Sequence, residues 1–565
     1  MKIGRLAGCL SFLLCYITFS VEAQSVNAPL NDDYYHLIDR YEIKSGRVNP
    51  YFHSSWKAYQ REDIAAFADT IAGEFSTLSK QDRFNFNYLR NDSWEWSKKD
   101  INDSRKPFLK HFYKVKSDLY NVSVDDFDLH VNPVLHLSAG RESADNANTF
   151  INTRGVEVRG MVDNKVGFYS FIGENQLVHP LYVRQRRDST LVVPHEGFWK
   201  GYEDNGADFF TARGYLSFNA SKHINVQFGH DRFTVGNGYR SLILSDYAPA
   251  YLFLKLNTKV WKFNYTNLFT QMTADVFGTP SGLSGSTRFP DKYMALHHLS
   301  LNIGKKLNIG IFESVIFSNT DSASNNAFEL KYLNPVIFYR AIEQQNGSSD
   351  NVLVGADFKW LAIKNISIYG QLVFDEFLLD NLREGTGWWG NKWAFQLGGE
   401  YVDAFGINNL DLQGEVNVAR PYAYSHGTPF GSYSHYRQSL AHPLGANFNE
   451  LIGIVRYQPM DKVFLSAKLM YANYGADTTG SNWGANILLQ NDTREQEFGN
   501  EIAQGVDTNL IYGDLTISYH WKHNFFIDLK HIYRKEESAL SALSNDTNFT
   551  SLVLRWNIPQ RLNEF

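Results

Sequence analysis

The most suggestive glycines of this chain lie in "GHDRFTVGNGYRSLILSDYAPAY", residues 229–251, where Gly236-Asn237-Gly238 follows an alternating, strand-like stretch, "HINVQFGHDRF". A glycine turn after a strand cradles phosphate when it opens a helix, because the first N–H groups of a helix are unpaired and point at the anion. Here "YRSLILSDYAP" leads back into a strand pattern and on to Pro249, with no third fingerprint glycine and no helix start. The glycines read as a loop at the rim of a larger structure, and no cofactor is expected.

Three histidines, His426, His435 and His442, gather in "PYAYSHGTPFGSYSHYRQSLAHPLGANFNE". A hydrolase at a lipid interface needs a Ser, a His and a third polar group that orients the His. Many Ser–His pairs exist and none is singled out, so no catalytic residue is assigned and the chain is expected not to be an enzyme. A metal site needs imidazoles converging on one centre; this spacing does not establish one, and no metal is expected. Sugar recognition suits the loops better, since sugars offer apolar CH faces to aromatic rings and hydroxyls to polar partners. Trp388, Trp389 and Trp393 cluster in "GWWGNKW", Tyr422 and Tyr424 precede His426, and Trp483 lies in the longest late loop. Arg184, Arg186 and Arg187 form a basic cluster that would complement acidic surface polysaccharide or lipopolysaccharide phosphate. The bland alternative for each of these residues is an interfacial aromatic or a solvated arginine.

The elements that hold these residues begin with a leader. Lys2 and Arg5 precede a largely apolar stretch, Leu6 to Phe19, and Val21-Glu22-Ala23 offers a cleavage site. Residues 1–23 therefore read as a signal peptide. "LAGC" imitates a lipoprotein box but precedes the apolar run instead of following it. Both cysteines, Cys9 and Cys15, fall inside the leader, which leaves no disulfide, thiolate metal site or cysteine nucleophile. The net charge of −6 argues against a nucleic-acid partner. After the leader no apolar run approaches the roughly 20 residues of a spanning helix. Aromatics nevertheless make up 15% of the chain, while mean hydropathy is −0.35. A membrane barrel reconciles the two by showing aromatics to lipid and keeping its other face and loops polar.

Residues 24–122 carry a helical period. "REDIAAFADTIAGEF" sets Ile64, Phe67, Ala68, Ile71 and Phe75 on one stripe, and Ser79 with Asp82 resembles a capping box that opens a second helix. From Phe127 the period becomes two. In "DLTISYHWK", Leu515, Ile517, Tyr519 and Trp521 alternate with polar neighbours, and "VFLSAKLMY", "NISIYGQLVFD" and "VWKFNYTN" repeat the pattern. Short links near 163–165, 220–223, 256–259, 304–306, 361–365, 401–409, 458–462 and 522–523 alternate with long Gly- and Asn-rich ones. Short periplasmic turns and long extracellular loops mark outer-membrane barrels. The expected fold is an all-β transmembrane barrel of about 18 antiparallel strands across 123–565, with 24–122 as a mostly helical periplasmic domain. Glu313 in "LNIGIFESVIF" shares parity with the lipid-facing Ile309 and Ile311, which predicts a bulge or a rim position.

With strands in place, the opening stretch takes on a second meaning. Gly229, Arg232, Gly236, Gly238, Ser241 and "LSDYAP", with Ser245, Asp246 and Pro249, resemble a signature of the Wzi family of outer-membrane capsule-assembly proteins. "HHLSLNIGKKLNIGIFESVIF" (297–317) with "YLNPVIFY" (332–339), and "SLAHPLGANFNE" (439–450), are similar to two further stretches of that family. "YYHLIDRYEIKSG" (34–46) looks more like the RemB-like gliding-motility group of Bacteroidota. The resemblance implies an outer-membrane barrel of a Gram-negative bacterium, of the Bacteroidota. It further implies a non-enzymatic role in binding, retaining or assembling surface polysaccharide, with motility or other envelope proteins as partners. The alternative is a porin, its lumen wetted by inward Asp514, Lys468 and Lys262.

Overall fold

The computed structural model describes residues 25–74, 78–97, 103–104, 107–274, 290–318, 330–338, 350–428 and 430–565. The leader and Phe75 of the predicted helical stripe lie outside these residues.

Eighteen strands close into one antiparallel barrel. They are Phe127–Glu142 (β1), Asn148–Val162 (β2), Val166–Val178 (β3), Gly206–Ser221 (β4), Ile224–Asp231 (β5), Tyr251–Val260 (β6), Phe263–Thr273 (β7), Asp291–Ile303 (β8) and Leu307–Phe317 (β9). The second half comprises Asn351–Ile363 (β10), Ile366–Phe374 (β11), Trp393–Tyr401 (β12), Leu410–Ala419 (β13), Phe448–Met460 (β14), Val463–Ala476 (β15), Val506–Lys522 (β16), Phe525–Ser538 (β17) and Asn545–Trp556 (β18). Each strand pairs with its neighbours in sequence, and β18 closes on β1 from Phe549↔Glu142 to Trp556↔Leu135. Closure removes the sheet edges that lipid could not satisfy, apart from a short stretch of β4 at 209–213.

The period of two sorts the faces as expected, with the burial of a soluble protein inverted. On β16, Leu515, Ile517, Tyr519 and Trp521 are 41–51% exposed, whereas Asp514, Thr516, Ser518 and His520 are at most 6% exposed. Apolar residues thus face outward and polar ones line the interior. Among the described residues no helix is long and apolar enough to cross a membrane. One predicted turn moves: the link expected at 256–259 falls at Trp261-Lys262, beyond Val260, so Lys262 lies in a turn and not on the inner wall. Trp261 takes φ 55° there and is largely exposed, an interfacial place for an aromatic.

Among the described residues three α-helices precede the barrel: Asp32–Ser45 (α1), Arg61–Glu74 (α2) and Lys80–Asp92 (α3). Asn31 caps α1 by accepting from Asp33 N–H, and Gly46 ends it in the left-handed conformation. The capping box at Ser79 and Asp82 is present. Tyr41, Ile64, Phe67, Ala68, Ile71, Phe86 and Leu89 form their common apolar core.

The polar faces of these helices seat in the barrel mouth at the short-turn end. Arg40 bonds Asp403 and Asp411, and reaches Asn409 at 3.1 Å. Lys359 of β10 bonds Asp39 at 3.2 Å and Glu42 at 2.6 Å. Asn85 and Gln458 exchange amide hydrogen bonds at 2.8 and 3.0 Å. Asp92 accepts from Arg61 at 2.6 Å and bonds His523 at 3.1 Å. Burial alone would raise the Asp92 carboxyl, but Arg61 and His523 hold it far below the usual carboxylate range. Buried ion pairs of this kind contribute little net energy, yet leaving one member unpaired is costly, so they fix the seat of the helices.

Glu313 lies neither on a bulge nor open to solvent. Its register with β8 and β10 is continuous, and it is buried, with Phe338 N–H donating to it at 2.6 Å. The segment 330–338 lies against the outer wall here. Tyr332 stacks on Phe317 at 4.1 Å, and Tyr265 Oη donates to the Pro335 carbonyl. The chain itself therefore covers this carboxylate on the outward face.

Candidate functional site

The glycine stretch occupies a different place from the rim assigned to it. After β5 the chain leaves the wall and turns into the lumen. Thr234–Val235 pairs antiparallel with Trp56–Lys57, and Gly236 N–H donates to the Ser55 carbonyl at 2.7 Å. Gly236 has φ +123°, and a β-carbon there would lie 2.1 Å from Gln371 Nε2. At Gly238 it would lie 2.6 Å from Gln396 Oε1 and 2.7 Å from Glu415 Oε2. These partners lie on β11, β12 and β13, so the turn is deep inside the barrel. Gly229 permits close approach of β5 to β4, where a β-carbon would meet the Gly214 carbonyl at 2.2 Å. Ser241 Oγ accepts from Ile243 and Leu244 N–H at 3.2 Å each. Ser245 N–H donates to the Leu440 carbonyl at 2.7 Å, and Pro249 is buried. Asp246 is exposed and Arg232 partly buried, the Arg232 guanidinium donating to the Asp246 carbonyl at 2.9 Å. The motif is a packing element of the lumen.

The basic cluster is not a solvated loop. Arg184, Arg186 and Arg187 sit on a helix, Leu181–Thr190 (α4). Arg184 bonds Glu142 at 3.0 Å and also Asp145. Arg186 donates to the Pro443 carbonyl at 3.1 Å. Arg187 donates to the Asn205 carbonyl at 3.0 Å and lies 4.1 Å above the Trp199 ring. All three are engaged within the chain because α4 is docked on the loop end of the barrel. Tyr424 is likewise buried, its hydroxyl donating to the Leu242 carbonyl at 2.8 Å, so it offers no face to a sugar.

The remaining candidates do come together. Three loops meet at the long-loop end: 375–392 after β11, 420–447 after β13 and 477–505 after β15. Trp388 and Trp389 both donate their indole N–H to Glu497 Oε1, at 3.2 and 2.9 Å. Arg494 lies 4.3 Å over the Trp389 ring and donates to Glu497 Oε2 at 2.9 Å. That guanidinium, with the indole N–H groups, holds Glu497 below the usual carboxylate range. The Trp388 ring folds over Gly390, where a β-carbon would be 2.3 Å from it. Tyr422 meets Trp389 edge-on at 6.3 Å and donates to the Asn482 carbonyl at 2.9 Å. Burial pushes the Tyr422 hydroxyl up to about 12. The His426 carbonyl accepts from Asn491 N–H at 3.2 Å. Asp477 accepts from Trp483 N–H at 2.5 Å and Asn486 N–H at 2.7 Å, which fixes the turn carrying Trp483. The result is a platform of two half-exposed indoles, locked by one carboxylate, with Tyr422 buried behind them and offering no face of its own.

Arg494 and Glu497 were not anticipated from sequence. They lie in the same loop as Trp483, but Glu497 is 108 residues from its partner Trp389, beyond the reach of any periodicity. The three loop histidines do not converge. His442 bonds Glu450 at 2.8 Å, and His435 accepts from Thr273 N–H at 3.0 Å. Among the described residues no group of three His, Cys, Asp or Glu could hold a metal ion.

Fold and lumen define a closed, eighteen-stranded transmembrane barrel whose mouth is seated with its own helices. Its likeness to Escherichia coli Wzi has a TM-score of 0.55 at 12% identity, covering 95% of this chain and 99% of that one. Wzi is described as an outer-membrane protein involved in group 1 capsule assembly and as a carbohydrate-binding β-barrel. The Pseudomonas aeruginosa barrels OccK8 (OprE) and OprD match with TM-scores of 0.39 and 0.41 at 10% and 8% identity. They cover 75% and 76% of this chain, and 97% and 92% of their own. No protein-family model matches the chain, and no curated protein matches it in sequence.

Proposed function

We propose that this chain is a non-enzymatic outer-membrane barrel that binds surface polysaccharide at its long-loop end. The observation that carries this reading is the platform of Trp388, Trp389, Arg494 and Glu497, backed by the buried Tyr422. Half-exposed indoles suit the CH faces of a sugar ring, and neighbouring charged and amide groups suit its hydroxyls. The fold shared with a carbohydrate-binding barrel supports it. Short turns and the helical segment then face the periplasm and the long loops face outward, as in outer-membrane barrels generally. Retention or assembly of capsule is the narrower role consistent with the motif stretches. A part in gliding would rest on Tyr34–Gly46 alone; that stretch is α1 with its cap, whose residues are committed to the helical core and the barrel mouth.

The test is binding of the purified barrel to the surface polysaccharide of its own organism. Trp388→Ala with Trp389→Ala is expected to weaken binding by tenfold or more, about 1.4 kcal/mol, with the heat-modifiable migration of the folded barrel unchanged. Unaltered affinity in the double variant would overturn the assignment.

A further inference from the structure

The barrel wall has a gap. β4 pairs with β3 from Ala207 to Ser217, but with β5 only from Gly214↔His230 toward the turn. β5 ends at Asp231 and β6 begins opposite it at Tyr251, the intervening residues turning into the lumen. Above the gap, the short strand Lys200–Tyr202 covers Gly206–Asp208. Between these two pairings, 209–213 have a strand on one side only among the described residues.

A cavity of about 550 Å³ reaches this place, lined by inward Phe209 and Arg213 and also by outward Phe210 and Ala212. The break in pairing leaves 209–213 with no backbone ladder between lumen and outer wall on this side, among the described residues. The gap begins about eight residues along β4 from its short turn, roughly 20 Å at ordinary strand rise and barrel tilt. With the long loops outside, that is the outer-leaflet headgroup level.

Three guanidiniums line the inner side. Arg213 lies 3.9 Å from Asp231 and Arg561 lies 3.5 Å from Glu196. Arg232 is held by the carbonyls of His195 at 3.3 Å and Asp246 at 2.9 Å, and the exposed Asp246 is the remaining acid at the mouth. Arg213, Arg232 and Arg561 each keep a buried Nε–H with no acceptor among the described residues. On the outer side Phe210 is 63% and Leu252 40% exposed. His230 bonds the Ala212 carbonyl at 3.0 Å, and the other backbone groups of an edge without a neighbouring strand need partners from elsewhere. A ligand with strong acceptor oxygens and apolar chains meets every one of these features, since phosphate accepts the guanidinium N–H groups and edge N–H groups alike.

We propose that this gap is a lateral binding site for an outer-leaflet amphiphile bearing phosphate and acyl chains. Its phosphate lies among Arg213, Arg232 and Arg561, and its chains run along Phe210 and Leu252. Lipopolysaccharide and phospholipid share this chemistry. The inference does not depend on the aromatic platform, which stands on other loops.

The test places photoreactive p-benzoylphenylalanine at Phe210 or at Tyr471, an outward residue of β15 paired on both sides, in the full chain in native envelopes. Phosphate-bearing adducts are expected severalfold more often at Phe210, and Arg232→Gln should cut the Phe210 yield at least fivefold while leaving Tyr471 unchanged. Arg561→Gln gives the same comparison if Arg232→Gln loses the heat-modifiable migration of the folded barrel. The adduct mass assigns lipopolysaccharide or phospholipid, and either supports the site. Equal yields at the two positions, adducts without phosphate, or a Phe210 yield indifferent to the arginines would overturn it.

Discussion

Gly236 and Gly238 are glycines because the lumen leaves no room for a β-carbon at either. Gly236 combines φ +123° with a β-carbon position 2.1 Å from Gln371 Nε2. Gln371 cannot yield freely, since it donates to the Val235 carbonyl at 2.8 Å and accepts from Leu242 N–H at 2.7 Å. Gly236→Ala should therefore cost about 1–3 kcal/mol from strain and crowding together, read as a lower midpoint for loss of heat-modifiable migration. A nucleotide cradle would instead tolerate the barrel and lose a ligand. Glu497 gives the opposite kind of prediction. It lies at the surface and organises two indoles, so Glu497→Ala should leave the barrel's thermal midpoint within about 0.5 kcal/mol. It should nevertheless weaken polysaccharide binding severalfold in the same assay used for the tryptophans.

The alternation on β16 and the capping box at Ser79 were legible because each reports a local environment: which face meets lipid, and which N–H groups lack partners. The destinations of the loops were not. Arg186 meets Pro443, Gly236 meets Ser55 and Trp389 meets Glu497, and no period links residues so far apart. Hence a loop rich in arginine read as solvated when it is a docked helix, and a glycine turn read as rim when it is interior. The helical segment was legible as helices but not as a seated insert, because charges such as Arg40 and Asp39 look solvent-facing until their partners on the wall are known. That seat should respond to pH through His53, buried among Ser300 and Asn308. Burial, with Lys259 and His298 nearby, lowers its imidazole to about 3. His53 is neutral when folded, whereas the unfolded chain binds a proton near pH 6.5. Its contribution is therefore complete above that value and is lost as pH falls from about 6.5 toward 3, by up to about 1.4 kcal/mol per pH unit. Limited proteolysis of the 25–97 region should accelerate across this window, and His53→Gln should flatten the response.

The barrel interior is filled from several directions. The helices enter from the short-turn end, 232–250 crosses the middle, and 557–565 folds back inside. There Glu564 accepts from Tyr239 Oη at 2.6 Å and Arg534 donates to the Phe565 carbonyl at 3.0 Å. Inward Asp514 and Lys468 of the channel reading are consumed in this packing, 3.7 Å apart and with Lys468 also on Glu564. A barrel of eighteen strands is wide enough for an aqueous lumen, so conduction depends on whether these inserts stay seated. The charged clamp at the mouth is the place to ask. Arg40 and Lys359 neutralise Asp39, Glu42, Asp403 and Asp411, and deleting one partner of a buried pair costs about 3–5 kcal/mol because the other charge stays buried alone. Arg40→Ala combined with Lys359→Ala should consequently unseat α1 and convert a silent barrel into one with stepwise single-channel conductance in planar bilayers. Steady large steps from the unaltered protein would show that the inserts do not seal it, and would favour the porin reading over polysaccharide binding.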